Sequence, residues 1–269
     1  FGTTGQTGLG RINIARALSD TGTEPVQPPG AAPPGKSGPH LRPYVAAATR
    51  TFTGPGTFST AANWDGATLP AAGDNLIING TCTFDDTRGL AYGTLVVGGA
   101  AAGTLNWPAS STNVLTVTSV SSSIASSAID MTNGGTLQVS STWTITNLTL
   151  TPGAGTVEFS GGAQTLPAIA TFNNLTLSGS GAKTLSTTTT TINGNLTLSG
   201  TASTTTVNSG FFTVSGNLSV GSGTTLTVSG FTGYTFTVTG TTTVAGTLTH
   251  SSTAGTKTFT GDVTVNSGG

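Results

Sequence analysis

The sequence predicts an all-β fold: a right-handed parallel β-solenoid of about 21–24 residues per coil, preceded by an extended N-terminal arm. Three observations carry this reading. A short motif recurs at that period, apolar and hydroxyl residues alternate inside each copy, and charge and helix-forming residues are scarce. The motif is clearest at Phe212-Thr213-Val214-Ser215-Gly216-Asn217-Leu218-Ser219-Val220, two alternating stubs around a Gly-Asn corner. Aligned on the residue after the corner, copies begin at Leu148, Leu175, Leu196, Leu218, Thr242 and Val263, with steps of 27, 21, 22, 24 and 21 residues. A period of this size marks a stack of like units, none of which can bury its apolar face alone.

Composition supports order in β form. Of 269 residues 40 are glycine and only 6% are charged, while Thr and Val suit a pleated, half-buried surface. The net charge is −1, against the high charge typical of disordered chains. Residues 1–50 carry Arg11, Arg16, Lys36, Arg42 and Arg50 against Asp20 and Glu24, a balance of +3, so the remainder carries −4. No basic stripe is present for nucleic acid to follow. No run reaches the length of a membrane helix, so no membrane span is expected. One cysteine, Cys82, excludes an internal disulfide framework and is expected to be a small core residue.

In chain order, residues 1–20 form a short segment, partly helical, with Ile14, Ala17 and Leu18 at helical spacing. Residues 21–50 form a Pro- and Gly-rich arm or linker, in which seven prolines from Pro25 to Pro43 favour extended geometry. Residues 51–74 are a lead-in and cap, with Trp64 as the apolar cover of the first coil. Residues 75–269 are the solenoid, with apolar columns inside and Thr and Ser outside. Parallel crossovers are right-handed as a rule, which sets the expected hand. Asn147, Asn174, Asn195 and Asn217, with Asp262 in the last copy, occupy the corner. Stacked there, their side chains are expected to bond from coil to coil and satisfy the backbone at the bend.

Two stretches resemble known families. Gly8-Leu9-Gly10-Arg11-Ile12-Asn13-Ile14-Ala15-Arg16-Ala17-Leu18 resembles the closing segment of subtilisin-like protease domains. The family's nucleophile motif is missing, so no catalytic residue carries over; the resemblance implies a piece lying downstream of a protease domain in a precursor. Asn63-Trp64-Asp65, Pro70, Gly73-Asp74 and the strand Asn75–Ile78 resemble the lead-in of bacterial surface β-solenoids, adhesin-like proteins among them. That resemblance implies an extracellular or cell-surface location.

Chemistry-bearing residues are few. Gly30-Ala31-Ala32-Pro33-Pro34-Gly35-Lys36-Ser37 matches the phosphate-loop pattern. However, Pro33 and Pro34 remove two of the backbone donors that pattern relies on, and Pro39 blocks the following helix. Asp85-Asp86 are the only adjacent carboxylates and are expected in a solvated turn before Arg88. His40 and His250 lack triad or zinc partners. Asn79, Asn147, Asn174, Asn195 and Asn217 begin Asn-x-Ser/Thr sequons, which makes surface glycans a candidate partner, although Asn-Leu-Thr strand grammar accounts for the pattern. No catalytic residue, metal or cofactor is expected, and the chain is not read as an enzyme.

The functional expectation is a structural subunit of an extracellular filament. The run Asp262–Gly269 stops within the repeat grammar, so Val263 and Val265 are read as the polymer end. An open coil end exposes unpaired backbone and an apolar column, and head-to-tail contact with a second copy propagates as a fibre. The arm would lock the joint by strand addition. The alternative is a cell-surface adhesin stalk or passenger fragment, and a third reading is a polysaccharide-binding or -degrading β-helix.

Overall fold

The computed structural model describes residues 47–205, 210–229, 234–250 and 255–269. The chain divides into two units, 1–46 and 47–269. The second is a parallel β-solenoid of about nine turns. The readings placed on residues 1–46, the helical segment, most of the arm, the phosphate-loop-like run and His40, lie outside the described residues.

One sheet runs the length of the solenoid and is called the spine. Its eleven strands stack in the order Thr49–Phe52, Asn75–Ile78, Ala91–Val97, Ser111–Ser121, Gly134–Val139, Thr156–Phe159, Asn174–Leu177, Leu196–Leu198, Leu218–Val220, Thr242–Val244 and Val263–Val265. In the first half a single second sheet closes the coil, built from Gly56–Thr57, Thr81–Thr83, Thr104–Asn106, Ser127–Asp130 and Leu148–Thr151; it is called the head sheet. In the second half two sheets replace it. The first tail sheet holds Gln164–Thr165, Ser180–Thr184, Thr201–Thr205, Thr225–Val228 and Thr247–His250. The second holds Thr171–Phe172, Thr191–Ile192, Phe211–Val214, Thr235–Val238 and Lys257–Phe259. The cross-section therefore changes from two faces to three between residues 151 and 164.

Alternation explains the stack. In Thr225–Val228 the hydroxyls of Thr225 and Thr227 lie outward while Leu226 and Val228 are buried, as a period of two requires. Like residues then meet in columns. Leu175, Leu196, Leu218, Thr242 and Val263 pair in sequence, so the last four of the five steps read from the repeat are the true register of the spine. The first rung begins at Thr49, inside the stretch read as linker, because Thr49–Phe52 already pairs in parallel with Asn75–Ile78.

The first step of the repeat is corrected. Leu148 belongs to the head sheet, where it pairs with Ser127; the residue above Leu175 in the spine is Val157. The motif from Trp143 to Leu150 resembles a spine corner locally yet lies on another face. Its period of 27 residues was the discrepancy that a uniform coil could not absorb.

The spine is also jogged at Ser111–Ser121. The C-terminal part of this strand pairs with Ala91–Val97, setting Leu95 beside Val120, whereas its N-terminal part pairs with Gly134–Val139, setting Leu115 beside Leu137. Buried positions Leu115 and Val117 are followed by Val120, so inward parity breaks inside the strand. A break of this kind shifts the core column without ending the sheet.

Candidate functional site

The corner predicted from the repeat is built from glycine and asparagine for separate reasons. The N–H of Gly216 donates to Gly194 O, and that of Gly240 to Gly216 O, both at 2.9 Å. A Cβ on Gly216 or Gly240 would lie 2.5 Å from the carbonyl oxygen of the coil before, so only glycine lets the backbones approach this closely. The following asparagine then staples one coil to the next. Oδ1 of Asn174 accepts the N–H of Asn195 at 2.9 Å, and Oδ1 of Asn195 accepts that of Asn217 at 2.8 Å. Oδ1 of Asn217 accepts both the N–H of Thr241 at 2.8 Å and its hydroxyl at 3.0 Å. The bonds run from side chain to backbone, one per step. Asp262 stands level with Thr241, one residue before Val263, and is exposed.

Asn147 is not part of this ladder. It precedes the head-sheet strand Leu148–Thr151, is exposed, and holds a left-handed backbone with φ of 62°. There asparagine serves a turn, since it tolerates that conformation better than most residues. The ladder has instead an earlier member that the repeat alignment missed. Oδ1 of Asn75 accepts the N–H and hydroxyl of Thr94, at 2.8 and 2.9 Å, with Asn75 again one residue before an inward leucine of the spine. The Asn75-Leu76 pair was the available signal. Asn79 adds a further clamp, its Oδ1 accepting the N–H groups of Gly99 and Ala100.

Trp64 covers the head of the stack. It is buried against Phe52 and Phe58 at ring distances of 5.3 and 4.8 Å, and its indole N–H donates to Phe58 O at 2.7 Å. Trp64 also bridges Phe52 in antiparallel sense, and Thr53 N–H donates to Asn63 O, so this segment flanks the C-terminal end of the first spine strand.

The other end of the stack is different. Val263 and Val265 are 52% and 63% exposed, whereas Leu196, Leu198, Leu218 and Val220, which fill the same columns two and three coils earlier, are buried. Among the described residues no strand lies beyond Val263–Val265. A cleft of about 360 Å³ opens there, lined by Val244, Leu248, His250, Phe259, Val263 and Val265. Burial and the nearby Lys257 hold His250 below its ordinary value.

Two buried ionisable side chains are held by hydrogen bonds, Asp86 and Lys183. Asp86 is 5% exposed, which corrects its reading as a solvated turn residue. Arg88 donates to both its carboxylate oxygens, at 2.8 and 3.0 Å, and to Pro70 O, while the hydroxyl of Tyr92 donates to Asp86 at 2.5 Å. Burial alone would raise the Asp86 carboxyl, but these hydrogen bonds outweigh it and hold it below its ordinary value. Asp85 turns the other way and accepts the N–H and hydroxyl of Ser59. The second cluster centres on Lys183, 1% exposed, whose Nζ donates to Gly161 O, Gly162 O, Gln164 Oε1 and Ser180 O at 2.5–3.3 Å. Burial holds its ammonium below the ordinary lysine value. Its signal in the sequence was isolation: it is the lone charge between Glu158 and Lys257.

Cys82 is fully buried, and burial pushes its thiol far above the usual range. Among the described residues no three His, Cys, Asp or Glu side chains cluster as a metal would need, and no helix is long and apolar enough to cross a membrane. No protein-family model matches the chain, and searches of curated proteins and of solved structures returned no match.

Proposed function

We propose that this chain is a structural subunit of an extracellular filament, a solenoid rod that joins a second copy through its exposed end. What supports the reading is the run of interchangeable coils, whose spine columns pass in register through Leu196, Leu218 and Thr242 to Val263. Val263–Val265 is the edge strand of the described spine, with both valines exposed. Such an edge is a template for another strand. A contact between unlike surfaces of identical copies repeats indefinitely and gives a fibre. The extracellular placement rests on the likeness of the lead-in around Trp64 to bacterial surface solenoids.

A cell-surface stalk is the second reading, and the covered head favours it: a rod closed at one end by Trp64 suits a chain that continues from the other. Negative-stain microscopy of the purified chain separates the two. Uniform fibres with an axial repeat of about 50 Å, the length of ten spine steps of about 4.8 Å, support the filament. Discrete short rods at all concentrations overturn it.

A further inference from the structure

We propose that Lys183 and Gln164 join through an isopeptide bond, a covalent staple between two successive coils that forms within the folded chain. The inference is independent of the filament reading. Three observations carry it. The two residues are direct partners in the first tail sheet, Gln164 opposite Lys183. Both are buried, 5% and 1% exposed. Nζ of Lys183 lies 2.9 Å from Oε1 of Gln164, so a C=O bond of about 1.23 Å places it no more than about 4.1 Å from the amide carbon.

The surroundings suit acyl transfer to an amine. The N–H of Gly161 donates to Oε1 at 2.8 Å, which fixes a dipole where negative charge develops on attack. Nε2 donates to Val139 O and Ser141 O at 3.0 and 2.8 Å, so the amide is held in one orientation. Among the described residues no carboxylate pairs with Lys183, so its amine lacks a counter-charge to hold the proton. Burial acts in the same direction. As a neutral amine, Nζ keeps two N–H donors for Gly161 O and Gly162 O, at 2.6 and 2.5 Å, and has its lone pair left for the amide carbon. Nζ attacks Cδ, forming the new C–N bond and pushing the carbonyl electrons onto Oε1. The C=O bond re-forms as the bond to Nε2 breaks, and a proton from Nζ leaves with Nε2 as ammonia. Amides resist such attack in solution; holding the pair in contact supplies the effective concentration. The freshly folded chain carries the lysine cage, and ageing replaces it with the bond. That bond ties Gln164–Thr165 to Ser180–Thr184 where the third face of the solenoid begins.

The test follows the intact mass of the full folded chain over time, at neutral and at mildly alkaline pH. The expected result is a species lighter than the sequence mass by one ammonia, formed faster at the higher pH as the amine loses its proton. Chymotryptic cleavage after Phe172 should then leave the fragments bearing Gln164 and Lys183 joined. Lys183→Met should keep its sequence mass, and so should wild type held unfolded in urea. A folded wild-type mass that stays at the sequence value overturns the inference. So does an ammonia loss that maps instead to an Asn-Gly pair such as Asn193-Gly194, as an internal imide. Either result leaves the filament reading standing.

Discussion

The two halves of the solenoid solve the same problem with different chemistry. In the two-faced half, residues 47–151, an aromatic chain runs from Phe52 through Trp64, Phe58 and Phe84 to Trp107, each ring within about 6 Å of the next. Particular side chains lock particular loops there: Asp74 accepts the N–H groups of Ala48 and Ala71, and Asp86 holds Arg88 and Tyr92. In the three-faced half, residues 156–269, coils are interchangeable. Leucine and valine columns, a glycine corner and an asparagine staple repeat, and Phe212 stacks on Phe236 with planes only 6° apart. Where coils are alike, stability is close to a sum over coils and neighbouring contacts; where they are unlike, it depends on individual latches. One half is held by individual latches, the other by repeated ones.

That contrast can be broken at its strongest point first. Trp64→Ala removes a buried indole and its hydrogen bond to Phe58 O, and is expected to cost about 3–5 kcal/mol. In denaturant it should split unfolding into two transitions, the earlier one confined to residues 47–151. A single shifted transition would show the halves to be coupled throughout. At the boundary, Lys183→Met removes the ammonium from the oxygens of Gly161, Gly162, Gln164 and Ser180, of which Gly161 O keeps the N–H of Ser180 and Gln164 Oε1 that of Gly161, with an expected loss of about 1–3 kcal/mol by urea titration.

Acid discriminates between the halves. The Asp86 carboxyl is depressed in the folded chain, so its stabilisation is present above the unfolded value, near 3.8, and is lost as pH falls through the lower folded value. Arg88 is 38% exposed, so solvent weakens the pair, and Asp86→Asn is expected to cost about 1–2 kcal/mol near neutral pH. The variant should also flatten the loss of stability of the first half below pH 4. In the second half, Asn195→Ala removes one staple, worth about 1 kcal/mol, whereas Asn147→Gly should change stability by no more than a few tenths. Thr242 occupies a leucine column, and its buried hydroxyl has no hydrogen-bond partner. Thr242→Val is expected to stabilise by about 1 kcal/mol, a gain visible as a raised urea midpoint.

The second half was legible because its repeat is written in residues with strict local requirements. Gly194 and Gly216 must be glycine for coils to approach, and Asn195 and Asn217 follow them and reach the next backbone, so corner and register could be read together. The first half was less legible. The break in parity between Val117 and Val120 left no local mark there. Asn147 was misplaced for the same reason, since a short Asn-Leu-Thr string has one appearance on either sheet. Asp86 was read as solvated because its partner Tyr92 lies on the next spine strand, beyond the turn that joins them.

The sequence by itself determined the class of fold, the coil length of the second half and the identity of its corner, because alternation and close approach act between neighbours along the chain or one period apart. Only the tertiary structure decided how many faces each coil has, where the spine is jogged, and that Lys183 sits caged at the boundary. Those outcomes depend on which strand lies above which, and a strand's partner is chosen by the packing of whole coils.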